Sequence, residues 1–155
     1  SEVELRNALE ELYVAQGVDL VIAGHDHFYE RTWPVSAETV MDTGKDNLFS
    51  RGQGPIHLVI GIAGRSAYEE LDEPQPEWSA FRENNSYGWT RLVYDGNDAQ
   101  LSLTHYRIDG TIGDQFTITE SVWNDDSGDS NILGLTGIDS LLTMIVLLGA
   151  AIRKR

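Results

Sequence analysis

Cysteine is absent from the 155 residues, which excludes disulfides, thiolate zinc sites and cysteine nucleophiles together. Any metal has to be held by histidine, carboxylate, amide or tyrosine. Lysine is nearly absent as well, occurring only at Lys45 and Lys154, and 11 basic residues face 25 acidic ones for a formal net charge of −14. That balance argues against nucleic acid and anionic lipid as partners of the soluble part. An acidic, lysine-poor surface also suggests adaptation to high salt, where ions screen self-repulsion. No internal repeat occurs, and no charged-then-apolar leader precedes the first helical pattern at Ser1, so the chain reads as one domain cut from something longer. With 41% hydrophobic residues, there is enough apolar material for a packed core.

Ser1 followed by Glu4 fits a capping box, and Leu5, Ala8, Leu9, Leu12 and Tyr13 recur at helical spacing up to Gly17, a plausible C-cap. The run VDLVIAG then reads as a strand buried on both faces and fed by that helix, an αβ half of a crossover unit. Residues 32–55 are polar and irregular and read as a long surface excursion. Residues 56–60, IHLVI, form the next buried strand, closed by the glycine turn GIAG. Further strands are expected at 89–94, 99–108 and 116–119, the first two joined through Asp95-Gly96-Asn97-Asp98. The fold class is therefore α/β.

Ligand chemistry in such sheets collects at the C-terminal ends of strands. His25 and His27 fall there, in GHDHFYER, residues 24–31. In an extended segment i and i+2 point the same way, so the two imidazoles could be presented together while Asp26 points elsewhere. Neutral imidazole suits zinc, iron, manganese and nickel, held in one tautomer when its other ring N–H donates to a neighbour such as Glu30 or a backbone carbonyl. On spacing alone, a His-x-His pair is either a metal grip or an accident of a surface loop.

The stretch VDLVIAGHDHFYERTWPV resembles the last metal-binding motif of the purple acid phosphatases, within the calcineurin-like metallophosphoesterases, whose pattern is Gly-His-x-His-x-Tyr-Glu-Arg after a buried strand. The resemblance extends through GPIHLVIGIAGR, SAFRENNSYGWTRL and closing strands that end in an Asp-Gly and an Asp-x-Phe, over residues 1–119. It implies part of an α+β sandwich of the metallophosphoesterase type. It also implies a dinuclear metal centre, Fe with Zn, Mn or Fe, that hydrolyses phosphomonoesters by attack of metal-bound hydroxide. His25 would ligate one metal and His27 its neighbour, with Tyr29, Glu30 and Arg31 as packing or supporting residues that hold the loop. The family's remaining ligand motifs would precede the first helix and are not in this chain. The upstream half of the same catalytic domain becomes an expected partner, and the chain alone is expected to be inactive. Ala63 and Arg65 depart from the residues that the family tends to carry in the glycine turn.

Other residues favour plainer readings. His57 and His105 lie within strand patterns and read as structural or surface histidines. Gly61-Ile62-Ala63-Gly64 lacks the spacing of a phosphate loop, and the acidic run 124–131 lacks the closing glutamate of a calcium loop. Trp33, Trp78, Trp89 and Trp123 could form a sugar-binding face, though scattered tryptophans more often fill a core. The domain plan is a catalytic part at 1–122, an acidic linker at 123–131, a hydrophobic helix at 132–152 and a basic tail at 153–155. That helix reads as a transmembrane anchor, with an amphipathic core helix as the alternative and Asp139 costly in lipid. If it spans, the basic tail is cytoplasmic and the catalytic part lies outside, at the cell surface. A noncatalytic, surface-anchored binding or structural module is the competing functional reading.

Overall fold

The computed structural model describes residues 2–36, 39–44, 46–64, 66, 71, 73–120 and 144–147. Helix α1, Glu2–Ala15, opens the chain. Its end is set by Gly17 at φ +62°, which lets Val18 N–H donate to Tyr13 O (2.9 Å) and Gly17 N–H to Val14 O (3.1 Å). This is a Schellman closure, which a residue with a Cβ adopts only under strain. The capping residue expected at Ser1 lies outside the described residues.

The strands are β1 Leu20–Ala23, β2 Tyr29–Thr32, β3 Val35–Ser36, β4 Thr39–Val40, β5 Leu48–Ser50, β6 Ile56–Ile60, β7 Ser79–Glu83, β8 Gly88–Asp95, β9 Gln100–Arg107, β10 Ile112–Thr119 and β11 Met144–Leu147. They build one sheet in the order β11-β1-β6-β2-β7, another in the order β5-β10-β9-β8, and a small β3-β4 hairpin. Both larger sheets are mixed. β1 runs parallel to β6 and β11, β2 antiparallel to β6 and β7, and β5 parallel to β10.

The core lies between the sheets, where Leu20, Tyr29, Ile56, Leu58 and Ile62 meet Phe49, Leu101, Leu103, Phe116 and Ile118. On the other face of the first sheet, α1 sets Tyr13 against Val18 and Val21, with Leu9 beside them. Leu20 and Val21 are thus buried on opposite faces of β1, as an almost wholly apolar strand requires. The result is a helix on a two-sheet sandwich, mixed β with little helix.

Three expectations need correction. The polar excursion is not structureless: Phe49 inserts its ring edge-on against Trp33 and Phe116 at 6.2 Å each, and β5 joins β10 through Thr117 N–H to Asn47 O and Arg51 N–H to Thr119 O, both 2.9 Å. One buried aromatic recruits a three-residue strand whose sequence carries no alternation. The same excursion is pinned to the foot of β1, because Asp19 accepts from Arg51 Nε and Gly52 N–H, both 3.1 Å. Second, the closing strand begins at Ile112 rather than 116, with a register shift between Ile112 and Asp114 that hides it from pattern reading.

Third, the expected hydrophobic helix at 132–152 is described only at Met144–Leu147, and there it is strand β11, paired from Leu20↔Met144 to Ala23↔Leu147. A short apolar run with β-branched Ile145 and Val146 serves a strand as well as a helix, and the open edge of β1 selects the strand. Among the described residues no helix is long and apolar enough to cross a membrane. The linker 123–131, the tail 153–155 and the rest of 132–152 lie outside the described residues. Trp33 packs on the core, whereas Trp78 and Trp89 are exposed and Trp89 stacks on Tyr106 at 4.7 Å; Trp123 lies outside the described residues.

Candidate functional site

β1 ends at Ala23, and residues 25–28 bend before β2 begins at Tyr29. The segment is not extended. His25 sits at φ +83°, in left-handed space that non-glycine residues seldom occupy, so the extended-strand argument for two parallel imidazoles fails here. The pair still shares one bend at the strand tip: His25 is exposed and His27 half-buried.

A second turn locks that bend. Gly61, directly after β6, donates its N–H to Phe28 O (3.1 Å), and a Cβ there would lie 1.6 Å from Asp26 O. Only glycine lets the two backbones approach this closely, so the GIAG turn is a seat for the histidine bend rather than a phosphate loop.

Tyr29, Glu30 and Arg31 stand on β2, not in a loop. Their faces alternate. Tyr29 and Arg31, 0% and 2% exposed, enter the sandwich, while Glu30 turns to the helix side. Glu30 accepts from Ser79 Oγ at 2.7 Å and lines a cavity of about 550 Å³ with Glu10, Tyr13, His57 and Trp78. Burial raises the Glu30 carboxyl above its ordinary value, against the opposing effects of Ser79 and Arg82. His57 lies on this cavity, 6.1 Å from the Tyr13 ring.

Inside the sandwich, Tyr29 OH donates to Asp114 Oδ2 (2.9 Å), and Arg31 reaches Asp114 through Nε to Oδ2 (2.7 Å) and Nη2 to Oδ1 (3.0 Å). Arg31 Nη2 also donates to Asn47 Oδ1 (3.2 Å). Arg31 Nη1 makes no hydrogen bond, but the guanidinium carbon lies 5.0 Å from the Phe116 ring centre and within 5.8 Å of Phe49, contacts that suit a planar cation. Burial, then Asp114, push the Tyr29 phenol far above its ordinary value, so it stays a proton donor.

Behind Tyr29, stacked at 4.0 Å, lies the wholly buried His105. Its Nδ1 is 3.0 Å from Thr90 Oγ1, and its Nε2 is 3.3 Å from Glu83 Oε1 without an aligned hydrogen bond. Arg107 donates twice to Glu83 Oε2, from Nε (2.9 Å) and Nη2 (2.8 Å). His105 is thus a structural histidine, as its place in a strand pattern suggested. Asp114, Asn47, Glu83 and Gly61 were not identified from sequence as parts of this arrangement. Asp114 carried one signal, its place in the closing Asp-x-Phe.

A family signature described as iron/zinc purple acid phosphatase-like protein C matches residues 54–115, from the approach to β6 into β10. Acid phosphatase type 7 of Danio rerio is 36% identical over 115 residues, covering 72% of this chain and 26% of its own length. A solved purple acid phosphatase from yellow lupin (Lupinus luteus) seeds superposes with a TM-score of 0.64 at 30% identity, over 74% of this chain and 20% of that one. The chain is purple acid phosphatase-like. Arabidopsis thaliana "Probable inactive purple acid phosphatase 27" is likewise similar, 34% identical over 113 residues, 73% of this chain and 18% of the relative. The chain spans about a quarter or less of the length of these curated relatives.

For a purple acid phosphatase-like chain, the donor set can be tested against a metal centre. Two imidazoles on one clamped bend suit iron or zinc by chemistry. By number they fall short, since among the described residues no group of three or more His, Asp or Glu side chains could hold a metal ion.

Proposed function

We propose that this chain is the C-terminal part of a dinuclear, metal-dependent phosphoesterase acting on phosphomonoesters. The observation that carries the reading is a His-x-His bend at the tip of β1, seated on Gly61, in a chain that is purple acid phosphatase-like. His25 and His27 would hold the metal pair, Fe with Zn, Mn or Fe, together with ligands from the upstream part of the same catalytic domain. When bound, such a centre supplies Lewis-acid activation of water and counters charge developing on the phosphoryl oxygens. This chain's own part is positional: the bend offers two imidazoles, Gly61 fixes its backbone, and Tyr29 and Arg31 anchor the strand that follows.

The reading requires that the chain alone hydrolyse little. A polypeptide joining it to the upstream ligand motifs should hydrolyse an aryl phosphate, and His25→Ala or His27→Ala should each cost at least about a hundred-fold in kcat/KM, following the loss of a metal ligand. Full turnover in both variants would refute the assignment. A noncatalytic module is the second reading, favoured by the similarity to a relative named as inactive. It predicts no turnover even when the upstream segment is joined.

A further inference from the structure

β2 starts two residues after His27, so the register in which β2 enters its sheet governs how the histidine bend is held. A slip of one residue would drive Glu30 and Thr32 into the sandwich and expel Tyr29 and Arg31. Backbone pairing specifies this register only in part. The ladder with β6 is regular from Tyr29↔Ile60 to Arg31↔Leu58, but the ladder with β7 shifts between Arg31 and Thr32.

A carboxylate on the opposite sheet discriminates between the registers. Asp114 receives Tyr29 OH and both Arg31 donors, and the side chains of Arg31 and Asp114 are 3% and 4% exposed. A buried ion pair is a poor device for stability alone, because well-packed apolar residues of similar volume often do as well or better; its best-attested use is to specify one arrangement. In the slipped register Asp114 would lie buried without its cation.

The surroundings are shaped to keep this arrangement. Gly88 and Gly113 leave room for His105 behind Tyr29: a Cβ on Gly88 would come within 2.6 Å of the imidazole, and one on Gly113 within 2.7 Å of Glu83 Oε1. Arg31 and Arg107 face Asp114 and Glu83, so the cluster is charge-balanced with His105 neutral.

We propose that Asp114, on the last strand of the opposite sheet, is the positioning residue of the histidine bend: by clamping Tyr29 and Arg31 it sets the register of β2 and hence the placement of His27. The functional meaning of this role rests on His25 and His27 being metal ligands.

The test uses the 155-residue chain and two readouts: the NMR ring resonances of His25 and His27, and their response to titration with Zn²⁺ alone. Asp114→Asn keeps the shape and removes the charge. Leu101→Ala, in the same sheet and core, serves as a control matched for loss of Tm. Asp114→Asn should shift both histidine resonances and weaken the Zn²⁺ response about ten-fold, as loss of a residue that orients metal ligands does. Leu101→Ala should leave both unchanged, and equal behaviour of the two variants overturns the proposal. Should Asp114→Asn fail to fold, Tyr29→Phe deletes one hydrogen bond to Asp114 and keeps the ring; unmoved histidine resonances in that variant overturn the proposal too. If Zn²⁺ moves neither ring in the parent chain, whose two imidazoles lack the upstream ligands, the zinc-free resonances alone decide the role of Asp114.

Discussion

The eight residues 24–31 split into two halves governed by different physics. In the first half, His25 is exposed in left-handed backbone space and His27 is half-buried, on a bend held through its backbone by Gly61. In the second, Tyr29 and Arg31 are 0% and 2% exposed and meet a carboxylate more than 80 positions away. If His25 and His27 are metal ligands, as proposed, the comparison separates residues that offer chemistry from residues that place it. Groups meant to meet a ligand are left within its reach, whereas groups that orient them are buried where every polar atom needs a partner.

The sharpest way to break this comparison is to truncate one residue from each half. Arg31→Ala strands Asp114 as an uncompensated buried charge and should cost about 3–5 kcal/mol in denaturant unfolding. His25→Ala, at an exposed position, should fall within about 0.5 kcal/mol of the parent. Similar costs for the two would erase the distinction.

A smaller effect is expected from pH. Burial chiefly holds the His105 imidazole below its ordinary value of 6.5, with Glu83 and Asp114 opposing and Arg107 reinforcing. The folded chain keeps this ring neutral while the unfolded chain takes up a proton, so its contribution is complete above about pH 6.5 and is lost as pH falls through the lowered folded value. Tm measured from pH 8 downward should decline below that point, and His105→Gln should flatten the decline. An unaltered profile in the variant would place the titration elsewhere.

The smallest effect belongs to the surface. Arg82 meets Glu73 at 3.1 Å, but the Glu73 side chain is 78% exposed. A double-mutant cycle on this pair should yield about 0–1 kcal/mol and shrink in 1 M salt, while the Arg31–Asp114 coupling should hardly change. A salt-insensitive surface pair would blur the contrast between exposed and buried charge.

Much of the frame is legible from residue pattern. Gly17 closes α1, the apolar run before the histidines is a two-face-buried strand from Leu20, and IHLVI coincides with β6. These features are local, since a cap, an apolar run and a glycine turn are each contained in a few consecutive residues. The donor pair at a strand tip is local in the same sense. β5 is not, because Leu48-Phe49-Ser50 becomes a strand only where Phe49 meets Trp33 and Phe116 and β10 offers its edge. Nor is β11, whose four apolar residues carry no preference for strand over helix until β1 provides a ladder.

The amino-acid order by itself determined which residue types stand where a metal could be met: no thiolate anywhere, and two imidazoles one residue apart after a buried strand. Tertiary structure alone decided how that pair is held. It bent the segment that alternation would have extended, set Gly61 against Asp26, and brought Asp114 across the sandwich to Tyr29 and Arg31. The physical reason is range. Periodicity records which face of an element is apolar, whereas the partner of a buried charge is chosen by the packing of two sheets, which no run of neighbouring residues encodes.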